Sequence, residues 1–153
     1  MTRPKPVEAR VSLIINATPE EVFSAFIEPK QLVRFWLAAS SGKFSIGKVV
    51  HWEFKVPGAT VETTATKLRL GQAIAWKWSD GTAVNIELEE LDKGTAITVI
   101  NSGFKGSPNQ KMESALNATE GFSYVLADLK ILLESGESSH IVRDKARLIE
   151  LWN

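Results

Sequence analysis

The chain has 153 residues, of which 44% are hydrophobic and 24% charged, a composition that excludes a disordered or fibrous protein. Its 18 basic and 18 acidic residues cancel, which argues against nucleic acid or an anionic membrane surface as a partner. With no cysteine, the chain has no disulfide, no thiolate nucleophile and no cysteine-ligated metal.

The sequence shows no targeting or membrane segment. Residues 1–8 carry charges without a following apolar stretch, and no later segment approaches the roughly 18 apolar residues of a membrane span. A chain of this length suits one domain. We therefore expect a single cytoplasmic domain with no membrane span.

The first predicted elements are a strand and a capped helix. Residues 9–15 alternate in hydrophobicity and predict a strand. Thr18 stands before a proline at the first helical position, and Glu21 follows it by three residues. This pattern is a capping box, so it predicts a helix that begins at Pro19.

A second short helix follows the first without a linker. The residue before a proline avoids the helical conformation, so Glu28 ends the first helix and Pro29 begins a second one that extends to about Trp36. The first helix has an apolar stripe of Val22, Phe23 and Phe26.

Between residues 48 and 104 the hydrophobic period is two, interrupted by turns that contain glycine. Tight turns between consecutive strands predict an antiparallel meander with one apolar, aromatic face and one polar face. In its first strand Trp52 and Phe54 lie opposite Glu53. The predicted strands are residues 48–56, 59–70, 73–79, 82–91 and 95–103.

The longest helical pattern runs from about residue 112 to 134 and would cover the apolar face of the sheet. Gly136 is placed to end this helix, so we expect a domain over residues 1–136. Residues 137–153 form a tail in which residues 141–152 predict another short helix. The apolar stripe of the long helix is predicted to be Met112, Leu116, Phe122, Leu126, Leu129 and Leu133.

This α+β order carries a family resemblance. The segments INATPEEVF at residues 15–23 and LVRFWL at 32–37 resemble the opening of the family of the heat-shock protein 90 ATPase activator, within the START-like (SRPBCC) superfamily that includes the major birch-pollen allergen. The resemblance covers roughly residues 8–135 and continues through residues 47–54, 76–78, 95–101 and 120–122.

The resemblance implies an α+β helix-grip fold, in which a curved antiparallel sheet wraps around a long C-terminal helix. Two features depart from the family pattern. Phe122 stands where the family often has tryptophan, and the tail from residue 137 extends past the usual end, which leaves open an added lid or a subunit contact.

An aromatic and apolar cluster is the candidate ligand-binding site. The cluster has two possible arrangements. Its side chains line a cavity for an apolar ligand, or they fill the core between the sheet and the helix. A strongly curved sheet favours the cavity, because a single helix does not fill the space inside it. The predicted lining residues are Phe35, Trp36, Trp52, Phe54, Trp76, Trp78, Ile86, Phe104, Phe122 and Leu126.

The sequence contains no catalytic or metal-binding constellation. His51 and His140 are the only histidines, and neither stands at ligand spacing from a carboxylate pair. No nucleophile motif occurs. The carboxylates of Glu87, Glu89, Glu90 and Asp92 are expected to be solvated. We therefore predict no catalytic residue, no metal and no cofactor.

Three functions remain open at this point. The first is non-enzymatic binding of a small hydrophobic or aromatic molecule, and the second, implied by the resemblance, is a protein interaction with a chaperone. The third is a cofactor-independent cyclase or lyase acting on a polyketide-like substrate, with Glu53, Lys67, Arg69 or Asn101 as polar groups near the cavity mouth. The protein is expected to be a monomer or a homodimer.

Overall fold

The computed structural model describes residues 5–153. Residues 1–4, on which the expected lack of an export signal partly depends, lie outside the described residues. The elements in chain order are β1 (Ala9–Ile15), α1 (Pro19–Ile27), α2 (Pro29–Phe35), β2 (Leu37–Ser40), β3 (Val49–Phe54), β4 (Thr60–Arg69), β5 (Ala73–Trp78), β6 (Ala83–Glu90), β7 (Thr95–Ser102), α3 (Pro108–Ser135) and α4 (Ile141–Trp152).

The strands of the described chain form one antiparallel sheet with the order β1-β7-β6-β5-β4-β3-β2. The predicted meander is confirmed as β3 to β7, and β1 pairs beside β7 with Ile15 opposite Thr95. The pairing of β4 with β5 shifts register between Ala65 and Lys67. Such an irregularity bends a strand and increases its twist, which contributes to the curvature of the sheet.

One edge strand was not predicted. Residues 37–40 form β2, which pairs with β3 from Leu37 opposite Phe54 to Ser40 opposite Trp52. Four residues are too few to establish a period of two, and the Ser-Ser-Gly sequence that follows favours a loop. The pairing partner, and not the local pattern, makes this segment a strand.

The faces of the sheet are as predicted. Trp52, Ile74, Trp76 and Ile86 are at most 1% exposed, whereas residues on the other face such as Glu53 lie in solvent. The same core includes Phe26 from α1 and the buried residues in the C-terminal half of α3. The result is one hydrophobic core between the inner face of the sheet and the helices.

The caps of α1 and α3 position these helices. The Thr18 hydroxyl accepts a hydrogen bond from the Glu21 N–H at 3.2 Å, which confirms the predicted start of α1. A complete capping box occurs at α3. The Ser107 hydroxyl accepts from the Gln110 N–H, and the Gln110 side chain accepts from the Ser107 N–H at 2.8 Å. Helix α3 therefore begins at Pro108, four residues before the predicted start.

The predicted apolar stripe of α3 is wrong in its N-terminal half. Met112 and Leu116 are 52% and 64% exposed, because the phase of the helix turns a different row of side chains inward. Only Ala115 is buried before Phe122. The row buried against the sheet and α2 begins at Phe122 and includes Val125, Leu126, Leu129 and Leu132.

The turn between β6 and β7 requires glycine. Gly94 has φ of 88°, and a Cβ atom at this position would lie 2.6 Å from the Ile15 carbonyl oxygen. The turn therefore packs directly against the end of β1. Within residues 5–153 no helix is both long and apolar enough to cross a membrane.

Candidate functional site

A cavity of about 680 Å³ lies between one end of the sheet, the N-terminal half of α3 and helix α4. Its walls come from the ends of β3, β5 and β7, from the loop after β7, and from α3 and α4. This volume lies in the range of small-molecule sites in proteins.

Aromatic rings form the inner wall of this cavity. The Trp36 ring lies 6.3 Å from the Phe54 ring, 6.2 Å from Trp78 and 5.7 Å from Phe122, measured between centroids. Phe104 adds a further ring from the loop after β7. These five residues are half of the predicted lining set.

The other five predicted residues lie behind this wall. Phe35, Trp52, Trp76, Ile86 and Leu126 are each at most 1% exposed and pack within the core. The aromatic cluster is therefore divided between a filled region and an open one. The ring of Trp36 separates the two, because it contacts Trp52 at 5.1 Å and also lines the cavity.

The filled region contains two unsatisfied donors. The indole N–H groups of Trp52 and Trp76 are buried without a hydrogen-bond partner among residues 5–153. The two rings lie 5.4 Å apart at an interplanar angle of 66°, and Trp36 meets Trp52 at 69°. Edge-to-face contacts place the positive edge of one ring against the electron-rich face of another, which offsets part of the cost of an unpaired donor.

Small side chains on α3 create the open region. Ser114, Ala118 and Gly121 follow a spacing of four and three residues and line the cavity beside Phe122 and Val125. A Cβ atom at Gly121 would meet nothing within 4 Å. This row was not predicted, because large apolar residues mark the face of a helix that is buried, whereas small residues at helical spacing leave space.

Helix α4 closes the side of the cavity opposite the sheet. Val142, Lys145, Ala146 and Ile149 line the cavity at a spacing of three, one and three residues, which places them on one face of the helix. Leu148 and Leu151 lie outside this face and are exposed, whereas the exposed Trp152 ring lies beside Lys145, with Nζ 5.7 Å from its centroid. The domain boundary expected at residue 136 stays a prediction.

A buried carboxylate attaches α4 to α3. The Asp128 side chain is fully buried in α3 and accepts hydrogen bonds from the Ser139 hydroxyl at 2.9 Å and the Val142 N–H at 3.1 Å. The Val142 N–H belongs to the first turn of α4, where helical donors lack partners within the helix. Asp128 thus caps α4 from a neighbouring helix.

Most polar groups of the cavity are engaged with the protein. The Asp80 carboxylate accepts hydrogen bonds from the N–H and the hydroxyl of Thr82 at 2.8 and 2.7 Å. Lys105 donates to the Asp80 carbonyl oxygen at 3.3 Å, and Lys145 Nζ lies 2.8 Å from Glu120 Oε1. This ion pair raises the pKa of Lys145.

Lys55 is the exception among these groups. It follows Phe54 at the end of β3, is only half-exposed, and has no carboxylate oxygen within 4.0 Å among residues 5–153. Burial lowers the pKa of Lys55, the nearby Asp128 carboxylate opposes this change, and the Arg143 guanidinium adds to it. The Lys55 ammonium is therefore partly desolvated, with the Asp128 carboxylate near it but outside ion-pair distance.

The remaining predicted polar residues lie elsewhere. Asn101 lines the cavity, but its amide donates to the Ala83 carbonyl oxygen at 2.9 Å. The other predicted polar groups are exposed and do not line the cavity: Glu53, Lys67 and Arg69. The same holds for the carboxylates of Glu87, Glu89, Glu90 and Asp92.

The histidines lie on the surface. His51 is exposed on the outer face of the sheet, with Nδ1 3.6 Å from Glu62 Oε1, and His140 is exposed before α4. No group of three or more histidine, aspartate or glutamate side chains within the described part of the chain is placed to hold a metal ion.

The sheet wrapped around α3, with a cavity between them, defines a helix-grip domain of the START-like superfamily. A family model described as "Activator of Hsp90 ATPase homolog 1-like protein" matches residues 16–134. The chain belongs to this family, as the sequence resemblance predicted.

Solved structures support the same fold. Protein SSP2350 from Staphylococcus saprophyticus is 27% identical, with a TM-score of 0.75 over 86% of this chain and 94% of that chain. The Aha1 dimer from Colwellia psychrerythraea is 21% identical, with a TM-score of 0.77 over 86% and 99% of the two chains. DynU16, from the dynemicin biosynthetic locus, is 19% identical, with a TM-score of 0.76 over 88% of this chain and 50% of that chain. No curated protein matches the chain.

The Asp128→Ala substitution is expected to loosen α4 from α3. It removes two hydrogen bonds to a carboxylate and leaves the partly buried Val142 N–H unpaired, which should lower the stability of the α4 contact by about 1.5–3 kcal/mol. Hydrogen exchange of the α4 amides should accelerate by tenfold or more. Asp144→Ala is the control, because this exposed carboxylate contacts Arg143 at the surface. Unchanged protection of α4 in Asp128→Ala would contradict its role as a cap.

The Lys55→Met substitution is expected to stabilise the protein at pH 7. A lysine whose pKa is lower in the folded state binds protons more readily when unfolded, so its charged form destabilises the fold and stability rises with pH up to the ordinary lysine pKa of 10.5. The gain in urea midpoint from Lys55→Met should therefore shrink between pH 7 and 10.5. Lys77→Met, on the outer face of the sheet, is the matched control. A gain that does not change with pH would argue against a penalty on the charged form.

Proposed function

We propose that this START-like domain binds a small hydrophobic or aromatic molecule in the cavity between the sheet, α3 and α4. The single observation that carries the proposal is a space of about 680 Å³ bordered by aromatic rings. Protein interiors are close-packed, so an opening of this size is a specific feature of the molecule. The same fold occurs in other members of the family, which supports a ligand-binding role at the level of the superfamily.

The lining favours an apolar body for the ligand. Trp36, Phe54, Trp78 and Phe122 offer ring faces and edges from two sides, and Val142 and Ile149 complete an apolar surface on α4. Burying apolar ligand area against such a surface gains about 25 cal/mol per Å². Stacking against offset or perpendicular rings adds a preference for planar aromatic molecules.

The Ala118→Phe substitution should block this site. Ala118 is at the centre of the small-residue row on α3, and a phenyl ring there would occupy space between α3 and the sheet. A panel of lipids, flavonoids and polyketide-like aromatics is screened by thermal shift and isothermal titration calorimetry. We expect at least one compound to stabilise the wild type by about 2.7 kcal/mol at a hundredfold excess over its Kd, and Ala118→Phe to abolish that shift.

The matched control is Asn117→Phe, which adds the same ring to the exposed neighbouring position of α3. It should leave binding unchanged. The proposal fails if no compound of the panel binds the wild type, or if Ala118→Phe binds the same compounds with the same affinity.

A second candidate function is stimulation of a chaperone ATPase, which is supported by the family match over residues 16–134. A pull-down and an ATPase assay with the Hsp90-type chaperone of the same organism test it. We expect stimulation that survives Ala118→Phe if a surface of the domain carries this function. Neither binding nor stimulation by the wild-type protein would exclude it.

A further inference from the structure

We infer that the ligand of this cavity is a hydrophobic carboxylic acid, whose carboxylate binds Lys55 while its apolar body lies against the aromatic wall. The inference rests on the proposed ligand-binding function and specifies the chemical class of the ligand. It depends on the distribution of charge around the cavity, on the partners of each charged group and on the position of Lys55.

The cavity concentrates positive charge in a neutral protein. The whole chain has 18 basic and 18 acidic residues, whereas the lining residues include three lysines and one aspartate, a difference of two. The Asp80 carboxylate accepts two hydrogen bonds from Thr82, so part of its negative charge is already stabilised within the protein. Behind the lining, Glu120 pairs with Lys145, and Asp128 and Arg143 act on Lys55 with opposite signs. A small excess of positive charge therefore remains, which favours an anion over a cation.

The partners of the lysines identify the group that binds the ligand. Lys145 is paired with Glu120 at 2.8 Å, so its charge is compensated at the rim. Lys105 is exposed and donates to a backbone carbonyl. Lys55 is half-buried like Lys145, but it has no carboxylate oxygen within 4.0 Å in the described chain.

A bound carboxylate would remove the cost of this arrangement. Burial lowers the pKa of Lys55, so its charged form is penalised in the empty cavity. An opposite charge at hydrogen-bond distance reverses that penalty and forms a bond that is stronger than one between neutral groups. The Asp128 carboxylate offsets only part of this penalty, and an anionic ligand at Lys55 would offset more of it.

The position of Lys55 determines where the charged end of the ligand lies and where its apolar body lies. Its neighbour Phe54 belongs to the aromatic wall, with its ring 6.0 Å from Trp78. A carboxylate at Lys55 thus places the rest of the molecule directly against these rings. An amphiphile with one anionic end and one apolar body fits this arrangement, whereas a wholly apolar molecule leaves the ammonium unpaired.

The test compares dodecanoic acid with dodecanol, which have the same chain length and differ in charge. Isothermal titration calorimetry is performed at pH 7 with the wild type, Lys55→Met, Lys55→Arg and Lys77→Met. We expect the wild type to bind the acid at least about tenfold more tightly than the alcohol, because hydrogen bonds to charged groups contribute that much. Lys55→Met should lose about tenfold in affinity for the acid and none for the alcohol.

The two remaining variants separate charge from structure. Lys55→Arg keeps a positive charge and should retain the preference for the acid. Lys77→Met, on the outer face of the sheet, should behave as the wild type. If the alcohol binds as tightly as the acid, or if Lys55→Met binds the acid normally, the inference is wrong and the proposed hydrophobic site stands. If neither probe binds and the broader panel also fails, both are wrong.

Discussion

The placement of the Trp36 ring is the constraint on which both the core and the cavity depend. Trp36 ends α2, is 6% exposed, and lies between the inner face of the sheet and α3, 5.1 Å from Trp52 and 5.7 Å from Phe122. On one side of it the rings of Trp52 and Trp76 fill the interior, and on the other side the interior is open. The short helices α1 and α2 therefore do more than connect strands, because they hold the ring that divides the two regions.

The cavity results from a division between large and small side chains. The sheet supplies aromatic residues, and the N-terminal half of α3 faces them with Ser114, Ala118 and Gly121. A glycine within a helix costs about 1 kcal/mol relative to alanine, so Gly121 is unfavourable for the helix itself. Such local costs occur where function, and not folding, determines the residue, which agrees with a binding role for this space.

The two charged side chains Asp128 and Lys55 also differ in whether they stabilise the fold. Asp128 is buried, but one carboxylate oxygen accepts from Ser139 and the other from the first turn of α4, so it stabilises the docking of that helix. Lys55 is partly buried with no carboxylate within 4.0 Å among residues 5–153, so its charge is unfavourable in the empty protein. Asp128 thus holds a wall of the cavity in place, and Lys55 is the group that we infer binds an anionic ligand.

The sequence by itself determined the features that depend on local chemistry. Thr18 and Pro19 predicted the start of α1, the period of two predicted the meander, and the segments around residues 15–37 predicted the family. Only the tertiary structure decided what depends on neighbours distant in the chain. Strand β2 exists because β3 pairs with it, and Met112 and Leu116 are exposed because the phase of α3 turns a different row of side chains toward the sheet. Hydrophobicity patterns state which residues avoid water, whereas the volume left between sheet and helix depends on how all of them pack together.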